Sequence, residues 1–196
     1  MPYLVLSGNR RRVLKTSQTT ARAVGDDGSL RKGISKNYTL LTTDQYSGTT
    51  AIVLNGKTDT HTNNCVLDKN TGLMWSKAVS ASVGSSSNGA IPWTTNGNGE
   101  GIFTYTAAAK TAGLAGYSDW RVPNISELFS IVNWESDTRP NSSYWGTISA
   151  SNVWTGTNYP NAPTTSAMLI TWGANTIALS PTSKTADSYL LLVRKD

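Results

Sequence analysis

The side chains that could do covalent chemistry in this chain are few. His61 is the only histidine and Cys65 the only cysteine, four residues apart, so an imidazole could in principle take a thiol proton. Asp59 precedes the histidine, but the stretch is polar and offers no evident third group to orient the ring. Ser86 and its serine neighbours lack the strand–turn–helix glycine context of an activated serine. One histidine and one cysteine are too few for a zinc site. The chain is therefore expected to be non-enzymatic.

Binding chemistry is better supplied. All seven tryptophans lie between Trp75 and Trp172. The later part of the chain sets Trp145, Trp154, Tyr159 and Trp172 among Asn152, Asn158, Asn161 and Asn175. Aromatic rings give rigid contact area with a polar handle, and amides give adaptable hydrogen bonds. That mixture suits a sugar ring or a protein surface, and these eight residues are the candidate ligand contacts. No cofactor is expected. Calcium is the one ion left open, because Glu135 and Asp137 could coordinate it with backbone carbonyls, but solvated loop acids are the preferred reading.

The elements that would position these residues can be traced in order. Pro2 to Leu6 has strand character, as do Tyr38 to Thr43 and Thr50 to Leu54, with Asn55-Gly56 as a hairpin turn. Val66-Leu-Asp68 leads through an Asn70-Thr-Gly72 turn into Leu73-Met-Trp75, a buried-strand signal. Residues 84–101 are a Gly-, Ser- and Asn-rich loop. Phe103 to Leu114 predicts a helix, with Thr104 as a cap and Gly113 near its end. The string Gly116-Tyr-Ser-Asp-Trp-Arg-Val-Pro-Asn-Ile-Ser-Glu-Leu128 then predicts a second helix over about 125–133. Asn124 is its N-cap, and Glu127 reaches back. In this string Trp120 is expected in the core, Asp119 and Arg121 in ion pairs or loop hydrogen bonds, and Pro123 as a restraint before the helix. Residues 140–184 read as loop and strand, and Tyr189 to Arg194 as a final strand. Strands and helices do not alternate, which makes the class α+β.

Only 15% of residues are charged, and eight basic side chains (Arg10, Arg11, Arg12, Lys15, Arg22, Arg31, Lys32, Lys36) fall before residue 41, against Asp26 and Asp27. The remaining chain holds nine basic and ten acidic residues. This is a near-neutral body with a basic arm. No nucleic-acid motif accompanies Arg10-Arg11-Arg12, so nucleic acid is not an expected partner. No apolar run approaches a membrane span, and a single cysteine allows no intrachain disulfide. The start shows no leader-like order of charge and apolar run. The expected division is an arm over 1–62 for docking or oligomerisation and a domain over 63–196.

One set of motifs occurs in a telling order: Asp68, Thr71-Gly72-Leu-Met-Trp75, the alanine-rich helix ending Ala112-Gly-Leu-Ala-Gly116, Asp119-Trp120-Arg121-Val-Pro123, Glu127-Leu128, Tyr144-Trp145 and Val193-Arg194. Over residues 63–196 this resembles the C-terminal domain of collagen-like bacterial adhesins, which is also found in surface and phage proteins. The resemblance implies a C-type-lectin-like fold, shared with formylglycine-generating-enzyme-like and retroelement variable proteins, and a ligand face in the late loops. The family's cysteines in the first helix and near the terminal arginine have no counterpart here. Gly146-Thr-Ile-Ser149 stands where a serine-serine-threonine run is usual, and Trp172-Gly-Ala-Asn175 matches the usual hairpin only loosely. The calcium-binding strings of sugar-binding lectin-like domains are missing, as are the reactive cysteines of the enzymatic branch. The resulting expectation is a receptor- or glycan-recognition module on a phage virion, assembled in the host cytoplasm and trimeric. A virion assembly protein and a bacterial surface adhesin are the alternatives.

Overall fold

The computed structural model describes residues 21, 23, 24, 26–30, 34–77, 90–133, 140, 142–145, 152–173 and 176–196. Eleven strands and four α-helices occur among them. The central sheet is antiparallel, in the order β1 (Tyr38–Leu41), β4 (Cys65–Asp68), β5 (Leu73–Trp75) and β11 (Val193–Lys195). A second sheet joins β7 (Asn152–Asn158), β8 (Ser166–Gly173) and β9 (Thr176–Ser183). Two pairs complete the strands: β2 (Thr49–Leu54) with β3 (Lys57–Thr62), and β6 (Ile91–Pro92) with β10 (Asp187–Ser188). The helices are α1 (Asp27–Leu30), α2 (Ile102–Ala112), α3 (Ile125–Ser130) and α4 (Ser142–Trp145). The class is α+β, as expected. The short α4 falls where loop and strand were read.

Period-two alternation explains why several strands are apolar throughout. Successive side chains leave a strand on opposite faces, and both faces here are covered. Cys65, Met74, Trp154, Leu169, Leu190 and Leu192 enter one core, with Ile52, Ile102, Tyr105 and Trp120. Their neighbours Val66, Trp75, Val153, Ile170, Leu191 and Val193 enter a second, with Leu128, Val132, Trp145 and Trp172. The second core carries an unpaired set of donors. The indole N–H groups of Trp75, Trp145 and Trp172 and the Tyr38 hydroxyl are buried without a hydrogen-bond partner among the described residues.

Local chemistry sets the element ends much as read. Asn55 and Gly56 take φ values of 51° and 73° between β2 and β3, the left-handed pair a tight hairpin needs. Asp68 is 1% exposed. Its carboxylate accepts from the Asn70 N–H and the Thr71 hydroxyl, which closes the turn into β5, and Gly72 follows at φ 68°. Gly113 ends α2 in the left-handed region. The N-terminal end of α2 differs from the reading. Gly101 is its N-cap, and Thr104 sits in the first turn with its hydroxyl donating to the Gly101 carbonyl. The second helix ends at Ser130, short of Asn133.

The chain from 34 to 62 packs into this body, so the expected division between an arm over 1–62 and a domain over 63–196 does not hold for residues 34–62. β1 is hydrogen-bonded to β4, Ile52 is fully buried in the first core, and Asp59 and His61 are buried. The Lys36 ammonium donates to the Val132 carbonyl beyond α3. The strand proposed at Pro2 to Leu6 and the basic run Arg10 to Arg12 lie outside the described residues.

Candidate functional site

An open groove of about 340 Å³ crosses the surface where three segments meet. Its lining is Phe103, Thr106, Ala107, Lys110, Arg121, Val122, Asn124 and Gly156. The first wall comes from α2. Residues at i, i+3, i+4 and i+7 share one helix face, and Phe103, Thr106, Ala107 and Lys110 have that spacing. The opposite side of α2, with Ile102, Tyr105 and Ala109, is buried and anchors the helix.

Phe103 is 47% exposed, yet its position is fixed from below. Trp93 meets it edge-to-face with centroids 4.7 Å apart. Trp93 is held in turn by its indole N–H on the Thr155 carbonyl and by the Lys184 ammonium, 3.9 Å from the ring centroid. A large apolar face is thus presented on a rigid mount. Lys110, at the far end of the stripe, makes no side-chain ion pair or hydrogen bond among the described residues.

The second wall is the segment Arg121–Val122–Asn124. Arg121 is clamped to the central sheet by paired backbone hydrogen bonds with Val193, each 2.9 Å. Its guanidinium forks onto Glu127, with Nη1 to Oε2 at 2.7 Å and Nη2 to Oε1 at 2.5 Å. Asn124 and Glu127 form the reciprocal capping box at the start of α3, as read. The third contribution is a β-bulge. Register between β7 and β8 shifts between Trp154 and Asn158, which brings the Gly156 N–H onto the Pro123 carbonyl at 2.8 Å.

Burial pushes the Glu127 carboxyl up, but the Arg121 fork and the Asn124 N–H outweigh it and hold the group below its ordinary range. A depressed carboxyl adds stability above its unfolded value of about 4.3, and that stability is lost as pH falls through the folded value. Thermal unfolding followed against pH should therefore show an acid limb that Glu127→Gln flattens, at a cost of roughly 1 kcal/mol near neutrality from the weakened cap. An unchanged acid limb would remove Glu127 as its source.

The motif residues from the sequence occupy fastening positions. Trp75 and Trp120 are fully buried, and the Trp120 indole N–H donates to the Leu114 carbonyl at 2.8 Å. Asp119 accepts from Arg194 Nε at 2.7 Å, and the Arg194 guanidinium also lies 3.7 Å from the Tyr117 ring centroid. That hydrogen bond holds the Asp119 carboxyl below its usual range. Pro123 is buried and supplies the carbonyl that receives Gly156.

The eight residues singled out as ligand contacts fare differently, and none of the seven that are described lines the groove. Trp145, Trp154 and Trp172 are 4%, 0% and 0% exposed, so no ring face is open to a ligand. This corrects the surface role expected of them. A buried indole fills the core, and Trp154 donates its N–H to the Ile91 carbonyl. Asn152 is half-buried and accepts from the Thr171 hydroxyl. Asn158, Tyr159 and Asn161 do come together on the β7–β8 turn, with Asn161 Nδ2 donating to the Tyr159 hydroxyl. Asn175, Glu135 and Asp137 lie outside the described residues. The groove residues Phe103, Lys110 and Gly156 were missed. Only the i, i+4, i+7 stripe on α2 could have flagged the first two.

His61 and Cys65 are not brought together as base and nucleophile. The imidazole nitrogens face the Thr62 and Lys77 carbonyls, and the Cys65 thiol donates to the Asn63 carbonyl. Burial pushes that thiol up to about 12, which keeps it protonated. Among the described residues no group of three or more His, Cys, Asp or Glu side chains could hold a metal.

Compared with known proteins, the chain matches no curated protein and no solved structure. A family model does match, that of the Lcl C-terminal domain, over residues 64–194. The match begins just before β4 and ends in β11, so it takes in most of both cores, the capping-box string and the groove, but not β1 or the β2–β3 hairpin. With well over half of its length matched, and with the adhesin-type motifs in order along it, this protein belongs to the Lcl C-terminal domain family.

Proposed function

We propose that this chain is a non-enzymatic recognition module of C-type-lectin-like fold that binds a host-surface glycan, or a protein receptor carrying one, through the Phe103–Lys110–Arg121–Asn124 groove. The observation that carries this reading is the exposed but rigidly mounted Phe103 ring, set beside the Lys110 ammonium and the Asn124 side-chain amide. A sugar stacks its ring face on an aromatic surface and offers hydroxyls to amides and cations. The groove volume falls in the range of about 300–1,000 Å³ typical of ligand pockets. Two main helices, short antiparallel strands and long connections suit the lectin-like class, and the adhesin-type family suits display on a surface. The display site is a phage virion or a bacterial cell surface. Residues 34–62 pack into the domain, so of the expected arm over 1–62 it is the stretch before residue 34 that serves docking to neighbouring proteins and assembly into a trimer. No cofactor, membrane or nucleic acid takes part.

Phe103→Ala and Lys110→Ala test the reading on immobilised glycans and whole bacterial cells. Each should weaken binding about tenfold or more, as loss of an interface hot spot does. Their unfolding midpoints should stay close to that of the parent chain. Unchanged binding in both variants overturns the groove as the site. Unchanged binding together with lost assembly gives the structural virion role instead. Light scattering that returns a monomer overturns the trimer.

A further inference from the structure

A second cluster, none of whose residues lines the groove, joins a lysine, a buried glutamate and an asparagine. Lys57 opens β3. Glu100 and Asn96 lie in the loop that leads into α2. The Glu100 side chain is 0% exposed and that of Lys57 43%. One carboxylate holds both partners: Lys57 Nζ donates to Glu100 Oε1 at 2.5 Å, and Asn96 Nδ2 donates to Glu100 Oε2 at 3.1 Å. The Asn96 side-chain carbonyl is held as well. Its Oδ1 accepts from the backbone N–H groups of Asn98 and Glu100, both at 2.9 Å. The loop is closed by Asn96 N–H to the Glu100 carbonyl at 2.8 Å and Gly99 N–H to the Asn96 carbonyl at 2.9 Å. It packs so closely that a Cβ on Gly101 would lie 2.9 Å from Thr95 N.

These contacts bring together the groups an acyl transfer uses. An amine, a general acid–base group, an amide with a leaving nitrogen and two donors on the amide oxygen are all in place. We propose that Lys57 and Asn96 join in an intramolecular isopeptide bond, with Glu100 carrying the protons. The Lys57 ammonium passes a proton to Glu100 Oε1, and the freed amine attacks Asn96 Cγ. Negative charge develops on Asn96 Oδ1, where the Asn98 and Glu100 N–H groups stabilise it. Glu100 then swings its protonated oxygen onto Nδ2, gives up that proton there, and takes the second proton from Nζ. The Cγ–Nδ2 bond breaks, a Cγ–Nζ bond remains, and ammonia leaves with the proton held by Glu100. The balance is one ammonium and one primary amide in, one secondary amide and one ammonium ion out, with no oxidant or cofactor. Proximity replaces a bimolecular encounter. The half-exposed side of Lys57 gives the ammonium ion a way out. The bond would tie the β2–β3 hairpin covalently to the loop before α2, a crosslink suited to a protein that bears load at a surface.

Intact mass spectrometry of the purified full chain, held at mildly alkaline pH, is the test. The expected mass is below the sequence mass by one ammonia, and a tryptic digest should contain a branched peptide linking Lys57 to Asn96. Lys57→Arg keeps the ion pair without a primary amine, and Glu100→Gln removes the proton carrier. Both should return to the full sequence mass and lose the branched peptide. Lys57→Arg substitutes a half-exposed side chain, so it keeps the test open if Glu100→Gln fails to fold. A parent chain at full mass after prolonged incubation overturns the proposal. So does a mass loss that persists in Lys57→Arg, because that is a succinimide at Asn96-Gly97.

Discussion

Trp154→Ala is expected to lower the free energy of unfolding by about 3–5 kcal/mol, the usual cost of emptying a buried tryptophan site. The side chain is fully buried in the first core, on the strand that also sends Val153 into the second. Two losses combine. The cavity opens among packed residues that cannot all collapse into it, and the Ile91 carbonyl loses the indole N–H that satisfies it. Urea unfolding followed by the remaining tryptophan fluorescence should show a lower midpoint with little change in slope. A domain of this size is stable by only about 5–15 kcal/mol, so the variant sits near the edge of folding at ambient temperature. Binding measured on it would fall because less of it is folded. A variant with the parent midpoint and lost ligand binding would restore Trp154 as a contact residue and sink the core assignment.

Removing residues 1–62 is expected to abolish cooperative folding, although the family match begins only at residue 64. β1 covers the edge of β4, and the β2–β3 hairpin puts Ile52 into the first core. Leu41, Tyr46 and Leu54 pack against that core as well. Asp59 is buried on β3, where it accepts from the Tyr105 hydroxyl at 2.6 Å. A chain starting at residue 63 would expose this apolar surface, leave an open edge on the central sheet and strand the Tyr105 hydroxyl. Ile52→Ala in the full chain is the milder version and should cost about 2–5 kcal/mol. Far-UV and near-UV circular dichroism on the shortened chain, with urea unfolding of Ile52→Ala, checks both. A sharp unfolding transition in the shortened chain, together with an Ile52→Ala midpoint equal to the parent's, would make the N-terminal segment the separable arm that its composition suggested.

Several elements were legible because short-range chemistry writes them. Asn55-Gly56 has to take left-handed φ in a tight hairpin. Asp68 is spaced to catch the Asn70 N–H and the Thr71 hydroxyl. Asn124 and Glu127 are three apart, the separation a capping box needs. Each of these depends on partners within a few residues, so the residue types alone decide it. The family was legible for the same reason, since its motifs are these fasteners.

Burial and the groove were decided only by tertiary structure. Tryptophan suits an exposed binding face and a packed core about equally well. Which one Trp145, Trp154 and Trp172 adopt depends on whether a second sheet and the helices arrive to cover them. The groove is assembled from residues 103–110, 121–124 and 156, and the bulge that delivers Gly156 follows from the register of β7 on β8. The Lys57–Glu100–Asn96 cluster likewise spans a separation of 43 residues from lysine to glutamate. Sequence spacing fixes contacts along one helix turn or one tight turn. Contacts between distant segments are selected by the free energy of packing the whole core, and no local pattern carries that sum.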